Sequence, residues 1–235
     1  MRPTVLLFDI DGTLIDTAGA GRRAMERAFE RYAGRRDACA SIAFAGMTDR
    51  AIARLGLTAA ERNAEERTID ALLALYLEHL AEEVAASTSC RVHAGVETAL
   101  TSVEAIRGVA IGLGTGNIRE GARLKLERLG IHHRFTFGGF GCDHEDRAEI
   151  IRTGARRGAT ALGLPLDACR VVVIGDTPKD IAAAQAIDAE SIAVCTGSFG
   201  PEELAARGAT RVFRDLAEEG AIAALLEGLP RSSPA

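Results

Sequence analysis

Two aspartates, Asp9 and Asp11, stand one residue apart at the end of an apolar run near the start of the chain. The run, residues 5–8, contains no polar residue, which is typical of a parallel strand covered on both faces. Gly12 follows at once and frees the backbone to leave the strand. Two carboxylates at such a place can attack an electrophile, exchange protons or bind a metal ion.

Two later apolar runs, at residues 109–113 and 170–174, also end in residues that can do chemistry. Because ligands bind at the carboxyl ends of strands in open parallel sheets, we expect the side chains that follow these runs to lie close to Asp9 and Asp11. They offer two further carboxylates, a hydroxyl, an amide and backbone N–H groups: Thr115, Gly116, Asn117, Asp176 and Asp180.

Four carboxylates in one place repel one another, by on the order of 4 kcal/mol for a pair ~4 Å apart at an effective dielectric constant of about 20. Such a cluster needs a cation or must stay partly protonated. Oxygen ligands alone favour a hard ion, and Mg²⁺ binds few carboxylates and completes its shell with water and substrate phosphate. The neighbouring glycines and helix starts add N–H donors for an anion. The sequence therefore predicts a phosphoryl-transfer site with Mg²⁺ as cofactor.

The elements that must position these residues alternate between short apolar runs and amphipathic helical stretches. This alternation predicts an α/β fold with a doubly wound, Rossmann-like parallel sheet and right-handed crossovers. Strands are predicted at residues 4–8, 109–113, 136–138, 170–174, 191–194 and 210–213. Helices are predicted at residues 96–106, 119–129, 145–160, 178–187, 201–207 and 216–226.

One segment interrupts the alternation, because it shows helical periodicity and no convincing strand. We predict that this segment, residues 16–91, is a small all-helical domain inserted into an α/β core made of residues 1–15 and 92–235. Its helices are predicted at residues 21–32, 49–55 and 59–86, with hinges at residues 17–21 and 87–89. The tail, residues 230–235, is predicted to be frayed.

The composition limits the partners of the protein. A net charge of −5 gives no electrostatic reason to expect nucleic acid or an anionic membrane. No stretch approaches the ~18 apolar residues of a membrane span, and the first residues show no signal-peptide cleavage pattern. Five widely spaced cysteines without a C-x-x-C pair favour free thiols in a reducing compartment. We therefore expect a cytoplasmic protein.

Two of the motifs are specific enough together to indicate a family. Asp9-Ile10-Asp11-Gly12-Thr13-Leu14 resembles the D-x-D-G-T-[LV] signature of the haloacid dehalogenase-like (HAD) hydrolase superfamily. Gly175-Asp176-Thr177-Pro178-Lys179-Asp180 is similar to its fourth motif, G-D-x-x-x-D, and Thr115 is similar to the residue of its second. Motif order, spacing and strand context agree over essentially the whole chain.

The resemblance implies catalytic and metal-binding roles. Asp9 would attack phosphorus and form an aspartyl-phosphate. Asp11 would protonate the leaving oxygen and later deprotonate the hydrolytic water. Mg²⁺ would bind the Asp9 carboxylate, the Asp11 backbone carbonyl and Asp176. Asp180 would support this site or act as an occasional ligand.

The resemblance also implies residues that bind the phosphoryl group. Thr115, together with the backbone at Gly116 and Asn117, would hold it. A plain helix-capping role for Thr115 and Asn117 stays open.

The third motif normally supplies a Lys or Arg at the start of the helix before the fourth-motif strand. Lys125 comes too early in the chain, and Lys179 lies inside the fourth motif. Arg147 opens the helix in question, and its guanidinium stays charged and can bind two oxygens. We therefore assign Arg147 to the third motif, with an ordinary surface arginine as the alternative.

The resemblance implies that dehalogenases lack an acid at the position of Asp11, because a halide leaves without a proton, whereas a phosphoester oxygen needs one. The helical insertion corresponds to the cap of this superfamily, which closes over a small phosphorylated metabolite. Phosphoglycolate-type phosphatases are the nearest group. Candidate cap residues for substrate contacts are Arg22, Arg23, Thr48 and Arg50.

Two alternatives stay open. A phosphosugar mutase of the β-phosphoglucomutase type would have the same architecture and would pass the phosphoryl group from the aspartate back to a sugar. A catalytically silent binding protein on the same scaffold is disfavoured, because every catalytic carboxylate is in place. The sequence is compatible with a monomer or a homodimer.

Overall fold

The computed structural model describes residues 2–227 and has eight strands. They are β1 (Thr4–Phe8), β2 (Ile15–Asp16), β3 (Arg91–Val92), β4 (Val109–Gly114), β5 (Gly138–Gly139), β6 (Arg170–Gly175), β7 (Glu190–Val194) and β8 (Arg211–Phe213). Six of them form one parallel sheet in the order β5-β4-β1-β6-β7-β8. The strands β4, β1 and β6 are therefore neighbours, and their ends carry the predicted site residues.

The described helices are α1 (Ala20–Ala33), α2 (Asp49–Ala59), α3 (Glu66–Ala86), α4 (Val96–Glu104), α5 (Arg119–Arg128), α6 (Arg147–Ala161), α7 (Pro178–Gln185), α8 (Pro201–Ala206) and α9 (Ala221–Leu225). Helices cover both faces of the sheet. Helices α4, α5 and α9 form an apolar cluster with one face, and α6 and α7 form another with the opposite face. The predicted doubly wound α/β fold is confirmed.

The central strand β1 shows why its sequence has no polar alternation. Leu6 and Phe8 pack into the first cluster, and Val5 and Leu7 pack into the second. All four side chains are fully buried, since successive residues of a strand point to opposite faces. This burial holds the end of the strand, and with it Asp9, in one place.

Helices α1, α2 and α3 build a third apolar cluster of their own, with Met25, Phe29, Leu57 and Leu72 among its buried members. This cluster supports a helical cap, whose bounds at residues 16–91 stay a prediction. The chain leaves and re-enters the core through a two-stranded antiparallel ribbon, β2 with β3, that the periodicity did not reveal. A strand pair of two residues each is too short to leave a period in the sequence.

Three predicted elements are corrected. The helix predicted at residues 59–86 begins at Glu66, because α2 continues to Ala59 and Glu61 has a left-handed backbone, with φ of 55°. The strand predicted at residues 136–138 is Gly138–Gly139, and the helix predicted at residues 216–226 is reduced to Ala221–Leu225. The tail at residues 230–235 lies outside the described residues. Within residues 2–227, no helix is long and apolar enough to cross a membrane.

Candidate active site

A cavity of about 440 Å³ lies where the ends of β1, β4 and β6 meet the three cap helices. It is lined from the core by most of the predicted site residues: Asp9, Asp11, Thr115, Gly116, Asn117, Arg147 and Asp176. The cap contributes polar and apolar residues that include Arg22, Met25, Asp49, Ile52 and Tyr76. Asp180 is buried and reaches the cavity through its contact with Arg147.

Asp9 is held at the end of β1 with 6% of its surface exposed. Its N–H donates to the carbonyl of Ile174 in β6 at 2.8 Å, which continues the sheet by one residue. Oδ1 of Asp9 lies 3.1 Å from Nη2 of Arg147. Burial raises the pKa of Asp9 to about 6, although the guanidinium of Arg147 acts in the opposite direction.

Arg147 begins α6 and is positioned by Asp180. Oδ1 of Asp180 accepts hydrogen bonds from Nε of Arg147 at 2.8 Å and from its Nη2. Oδ2 of Asp180 accepts from the N–H and the hydroxyl of Thr177, at 3.1 and 2.7 Å, and so forms the capping box of α7. Because both oxygens are engaged, the geometry favours Asp180 as a support for Arg147.

Asp176, at the end of β6, has one oxygen engaged and one open. Its Oδ1 accepts from the hydroxyl of Thr13 at 3.0 Å, whereas Oδ2 has no donor among residues 2–227. A Cβ at Gly197 would lie 1.8 Å from Oδ2, and a Cβ at Gly12, where φ is +83°, would lie 2.5 Å from it. Burial, followed by the charges of Asp180 and Asp9, raises the pKa of Asp176 to about 8. Glycines at positions 12 and 197 thus leave the space that the Asp176 carboxylate occupies.

These residues fit a divalent cation. Carboxylate oxygens of Asp9, Asp176 and Asp180 lie within 4.8 Å of one another, and all three residues are buried. The donor set is oxygen only, which suits Mg²⁺. A bound cation would favour the charged forms of Asp9 and Asp176, whose pKa values are raised by burial and, to a smaller extent, by the neighbouring carboxylates.

The side chain of Asp11 faces a different set of partners. Its Oδ2 accepts hydrogen bonds from Nζ of Lys125 at 2.6 Å and from Nδ2 of Asn117 at 2.9 Å. Nζ of Lys125 also lies 2.6 Å from Oδ1 of Asn117. The three side chains form a closed triangle of hydrogen bonds beside the cavity. These contacts engage Oδ2 of Asp11, and the resemblance assigns metal binding to the backbone carbonyl of this residue.

Lys125 is a site residue that the motifs did not reveal. It is 4% exposed, and burial lowers its pKa, but the carboxylates of Asp11 and Asp49 outweigh this effect and raise the pKa above its usual value. The sequence does mark Lys125 in another way, because in α5 it shares the buried face with Ala122 and Leu126. A lysine in the apolar stripe of a helix needs a partner for its charge.

The loop after β4 connects the second motif with the cap. Oγ1 of Thr115 accepts from the N–H and from Nδ2 of Asn117, at 3.2 and 2.9 Å. The N–H of Asp49, the first residue of α2, donates to the carbonyl of Gly116 at 2.9 Å. Oδ2 of Asp49 accepts from the N–H of Ile118 at 2.9 Å. Two hydrogen bonds therefore fix the start of α2 on this loop.

Of the four cap residues predicted as substrate contacts, only Arg22 lines the cavity. Arg23 pairs with a glutamate of α3, Arg50 pairs with two acids of the same helix, and the hydroxyl of Thr48 caps α2. Asp49 and Tyr76 line the cavity instead. No sequence motif marked either of them, because their positions depend on how the cap packs on the core.

A parallel sheet with acids at the ends of its central strands, covered by a helical insertion, is the architecture of a class of hydrolases. A sequence model described as "Haloacid dehalogenase-like hydrolase" matches residues 6–194, and the chain belongs to this family. The predicted family and enzyme class are thereby confirmed.

Individual relatives agree with this assignment. The chain is 29% identical over 226 residues to a phosphoglycolate phosphatase from Rhodospirillum rubrum, and the alignment covers 93% of this chain and 90% of the relative. Its fold is similar to that of CbbY from Rhodobacter sphaeroides, with a TM-score of 0.71, 19% identity, and 96% and 99% of the two chains covered. A hydrolase from Pseudomonas syringae gives a TM-score of 0.66 at 19% identity, with 91% and 94% covered.

Proposed function

We propose that the protein is a Mg²⁺-dependent phosphatase that hydrolyses a small phosphorylated metabolite through an aspartyl-phosphate at Asp9. The observation that carries this proposal is the placement of Asp9, beside a buried guanidinium, in the same cavity as Asp11. A nucleophile, a proton donor and a cation for the phosphoryl oxygens then face one substrate. The name of the curated relative from R. rubrum supports a phosphoglycolate-like phosphomonoester as substrate.

The reaction divides into two transfers at phosphorus. A carboxylate oxygen of Asp9 attacks phosphorus, the bond from phosphorus to the leaving oxygen breaks, and Asp11 gives its proton to that oxygen. Asp11 then takes a proton from water, the water oxygen attacks phosphorus, and the bond to Asp9 breaks. Inorganic phosphate leaves, and both aspartates return to their initial states.

The remaining residues hold the reacting groups. Arg147 would bind a phosphoryl oxygen while it stays in contact with Asp9, because its guanidinium has several donors in one plane. Thr115 and the backbone at Gly116 and Asn117 would hold the other oxygens. Asp9, Asp176 and the carbonyl of Asp11 would hold Mg²⁺. When bound, Mg²⁺ would polarise the phosphoryl oxygens and balance their charge.

The phosphosugar mutase remains the alternative. It uses the same aspartates, and the two reactions differ only in whether water or a sugar hydroxyl accepts the phosphoryl group. Product analysis separates them, because a mutase converts a hexose 1-phosphate into the 6-phosphate and a phosphatase releases inorganic phosphate. The printed name of the R. rubrum relative favours the phosphatase.

The test of the proposed function is the turnover of p-nitrophenyl phosphate with Mg²⁺ by the wild type and by Asp9→Asn. We expect Mg²⁺-dependent turnover by the wild type and a loss of at least about a thousandfold in the variant, since the amide is a poor nucleophile. Asp37→Asn, an exposed aspartate of the cap, is the matched control and should keep the wild-type rate. Background turnover by the wild type, or an undiminished rate in Asp9→Asn, would contradict the proposal.

A further inference from the structure

The cap side of the cavity contains two buried polar groups with an open hydrogen-bonding atom. Tyr76, in α3, is 1% exposed and lines the cavity, and its hydroxyl makes no hydrogen bond to another side chain or to the backbone within residues 2–227. Asp49, in α2, is 7% exposed; its Oδ2 accepts from Ile118, whereas its Oδ1 accepts from no described residue. Both residues line the cavity, so the open atoms are accessible to a ligand there.

These two groups converge with Lys125 on one part of the cavity wall. A Cβ at Gly21, in the first turn of α1, would lie 3.4 Å from Nζ of Lys125 and 3.8 Å from the hydroxyl of Tyr76. Burial has the largest effect on both pKa values, lowering that of Lys125 and raising that of Tyr76, and the carboxylate of Asp49 is near enough to raise each of them as well. All three cap helices thus bring their residues to one point above Asp11.

A polar atom that faces a cavity is hydrated, and a ligand that displaces this water loses affinity unless it supplies the same hydrogen bonds. A ligand of this cavity is therefore expected to pair with both open atoms. The open groups here are a phenol hydroxyl, which can donate and accept, and a carboxylate oxygen, which only accepts. An alcohol hydroxyl is a partner that satisfies both.

We propose that Tyr76 and Asp49 form a subsite that binds hydroxyl groups of the leaving alcohol, so that the enzyme prefers phosphate esters of neutral, polyhydroxylated alcohols to those of hydroxy acids. This inference rests on the proposed phosphatase function and differs from it in the kind of leaving group that the enzyme prefers. It also departs from phosphoglycolate itself, whose leaving group carries a carboxylate and no further hydroxyl.

The charges of this wall disfavour a substrate carboxylate. The ammonium of Lys125 is already paired with Asp11 and lies near the carboxylate of Asp49, so it is not free to bind a substrate carboxylate. Arg22, which the cap contributes to the cavity, is also engaged. Arg22 donates from Nη1 and Nη2 to the carbonyls of Cys39 and Ile42, at 3.3 and 2.7 Å. Its guanidinium is therefore bound to the segment between α1 and α2.

An aromatic ring also packs against the flat face of the Arg22 guanidinium. Its guanidinium carbon lies 4.0 Å from the ring centre of Phe44. The neighbouring wall is apolar, with Met25 and Ile52, and would contact the carbon skeleton of an alcohol.

The test uses pairs of substrates that differ only in a terminal CH₂OH or carboxylate. The pairs are glycerol 3-phosphate with 3-phosphoglycerate, and 2-hydroxyethyl phosphate with 2-phosphoglycolate. We expect kcat/KM to be about tenfold or more higher for the alcohol member of each pair, the effect of one hydrogen bond to a charged group. Equal values, or a preference for the acids, would overturn the proposal.

Two isosteric variants identify the residues responsible. Asp49→Asn removes the charge but keeps an oxygen for Ile118, and should lower the alcohol-to-acid ratio by about tenfold. Tyr76→Phe removes the hydroxyl and should lower the same ratio through kcat/KM for the alcohol. Asp37→Asn and Tyr32→Phe, two more exposed cap residues, are the matched controls and should keep the wild-type ratio.

Each ratio compares two substrates on one enzyme preparation, so partial unfolding of a variant does not change it. An unchanged ratio in both Asp49→Asn and Tyr76→Phe would overturn the subsite. Turnover of p-nitrophenyl phosphate distinguishes a wrong subsite from a wrong phosphatase function. If the wild type turns it over with Mg²⁺ but shows no preference for alcohols, the subsite is wrong and the phosphatase stands. If the wild type does not turn it over, both are wrong.

Discussion

The ammonium nitrogen of Lys125 lies 2.6 Å from Oδ2 of Asp11, although 114 residues separate the two in the chain. Asn117 closes the contact, because its amide binds both groups. Lys125 belongs to α5, behind the second motif, and its side chain crosses to the aspartate that follows β1. The proposed acid and base of the reaction is therefore held in place by a buried cation rather than left free in the cavity.

The first prediction concerns this contact. Lys125→Met should lower kcat/KM for ethyl phosphate by about ten- to a hundredfold, the effect of losing a charged hydrogen bond that positions Asp11. The loss for p-nitrophenyl phosphate should be much smaller, because its leaving group needs little help from an acid. Steady-state kinetics with both esters measures the difference.

Lys125→Arg is the conservative control, and it should recover part of the activity toward ethyl phosphate, since it keeps the charge. An equal loss for both esters in Lys125→Met would show that Lys125 has only a structural role.

The second prediction concerns Arg147, which contacts both Asp9 and Asp180. Arg147→Met leaves these buried carboxylates without their cation and should lower the free energy of unfolding of the metal-free protein by about 3–5 kcal/mol. Thermal or urea unfolding followed by circular dichroism measures this change. Arg156→Met, on the exposed face of the same helix, is the control and should change stability by less than about 1 kcal/mol. Similar stability of the two variants would contradict the role of Arg147 as the cation that stabilises Asp9 and Asp180.

The third prediction concerns pH and metal removal. The pKa of Asp176 is about 8 in the folded protein, against about 3.9 for an unfolded aspartate. At pH values between these two pKa values, Asp176 is protonated in the folded state and deprotonated in the unfolded state. The free energy of unfolding of the metal-free protein should therefore fall as pH rises, by up to about 1.4 kcal/mol per pH unit. Asp9, with a pKa of about 6, adds to the fall only below pH ~6.

Melting temperatures at pH 5.5, 7 and 8.5, in EDTA and in Mg²⁺, measure this effect. The stabilisation by Mg²⁺ should increase with pH, because the ion needs the deprotonated carboxylates. Asp176→Asn should reduce both the slope in EDTA and the effect of Mg²⁺. The same slope in this variant as in the wild type would be incompatible with the raised pKa of Asp176.

The fourth prediction concerns the space beside Asp176. Gly197→Ala places a Cβ 1.8 Å from the present position of Oδ2 and must displace the carboxylate. We expect a weaker apparent affinity for Mg²⁺, by about tenfold or more, from the activity measured as a function of Mg²⁺ concentration. Gly200→Ala is the control in the same loop, because no atom of the described residues lies within 4 Å of a Cβ placed there, and it should behave as the wild type.

The sequence by itself determined the class of fold and the residues at the ends of the strands. An unbroken apolar run followed by Asp9 and Asp11 predicts a buried strand that presents acids at its end, and the same pattern recurs before Thr115 and Asp176. The three runs become the neighbouring strands β4, β1 and β6 in the interior of the sheet, where helices cover both faces of these mostly apolar strands. Local pattern and strand direction were sufficient for this part, and the chemical roles stay predictions.

Only the tertiary structure decided which groups from other elements reach those acids. Lys125 meets Asp11 because α5 packs on the sheet with its lysine inward, and Asp49 and Tyr76 reach the cavity because the cap packs on the loop after β4. Such contacts join residues far apart in the chain. They depend on helix rotation and domain packing, which no local sequence motif encodes. The proposed nucleophile was therefore readable from a motif, whereas the wall proposed to select the substrate required the assembled structure.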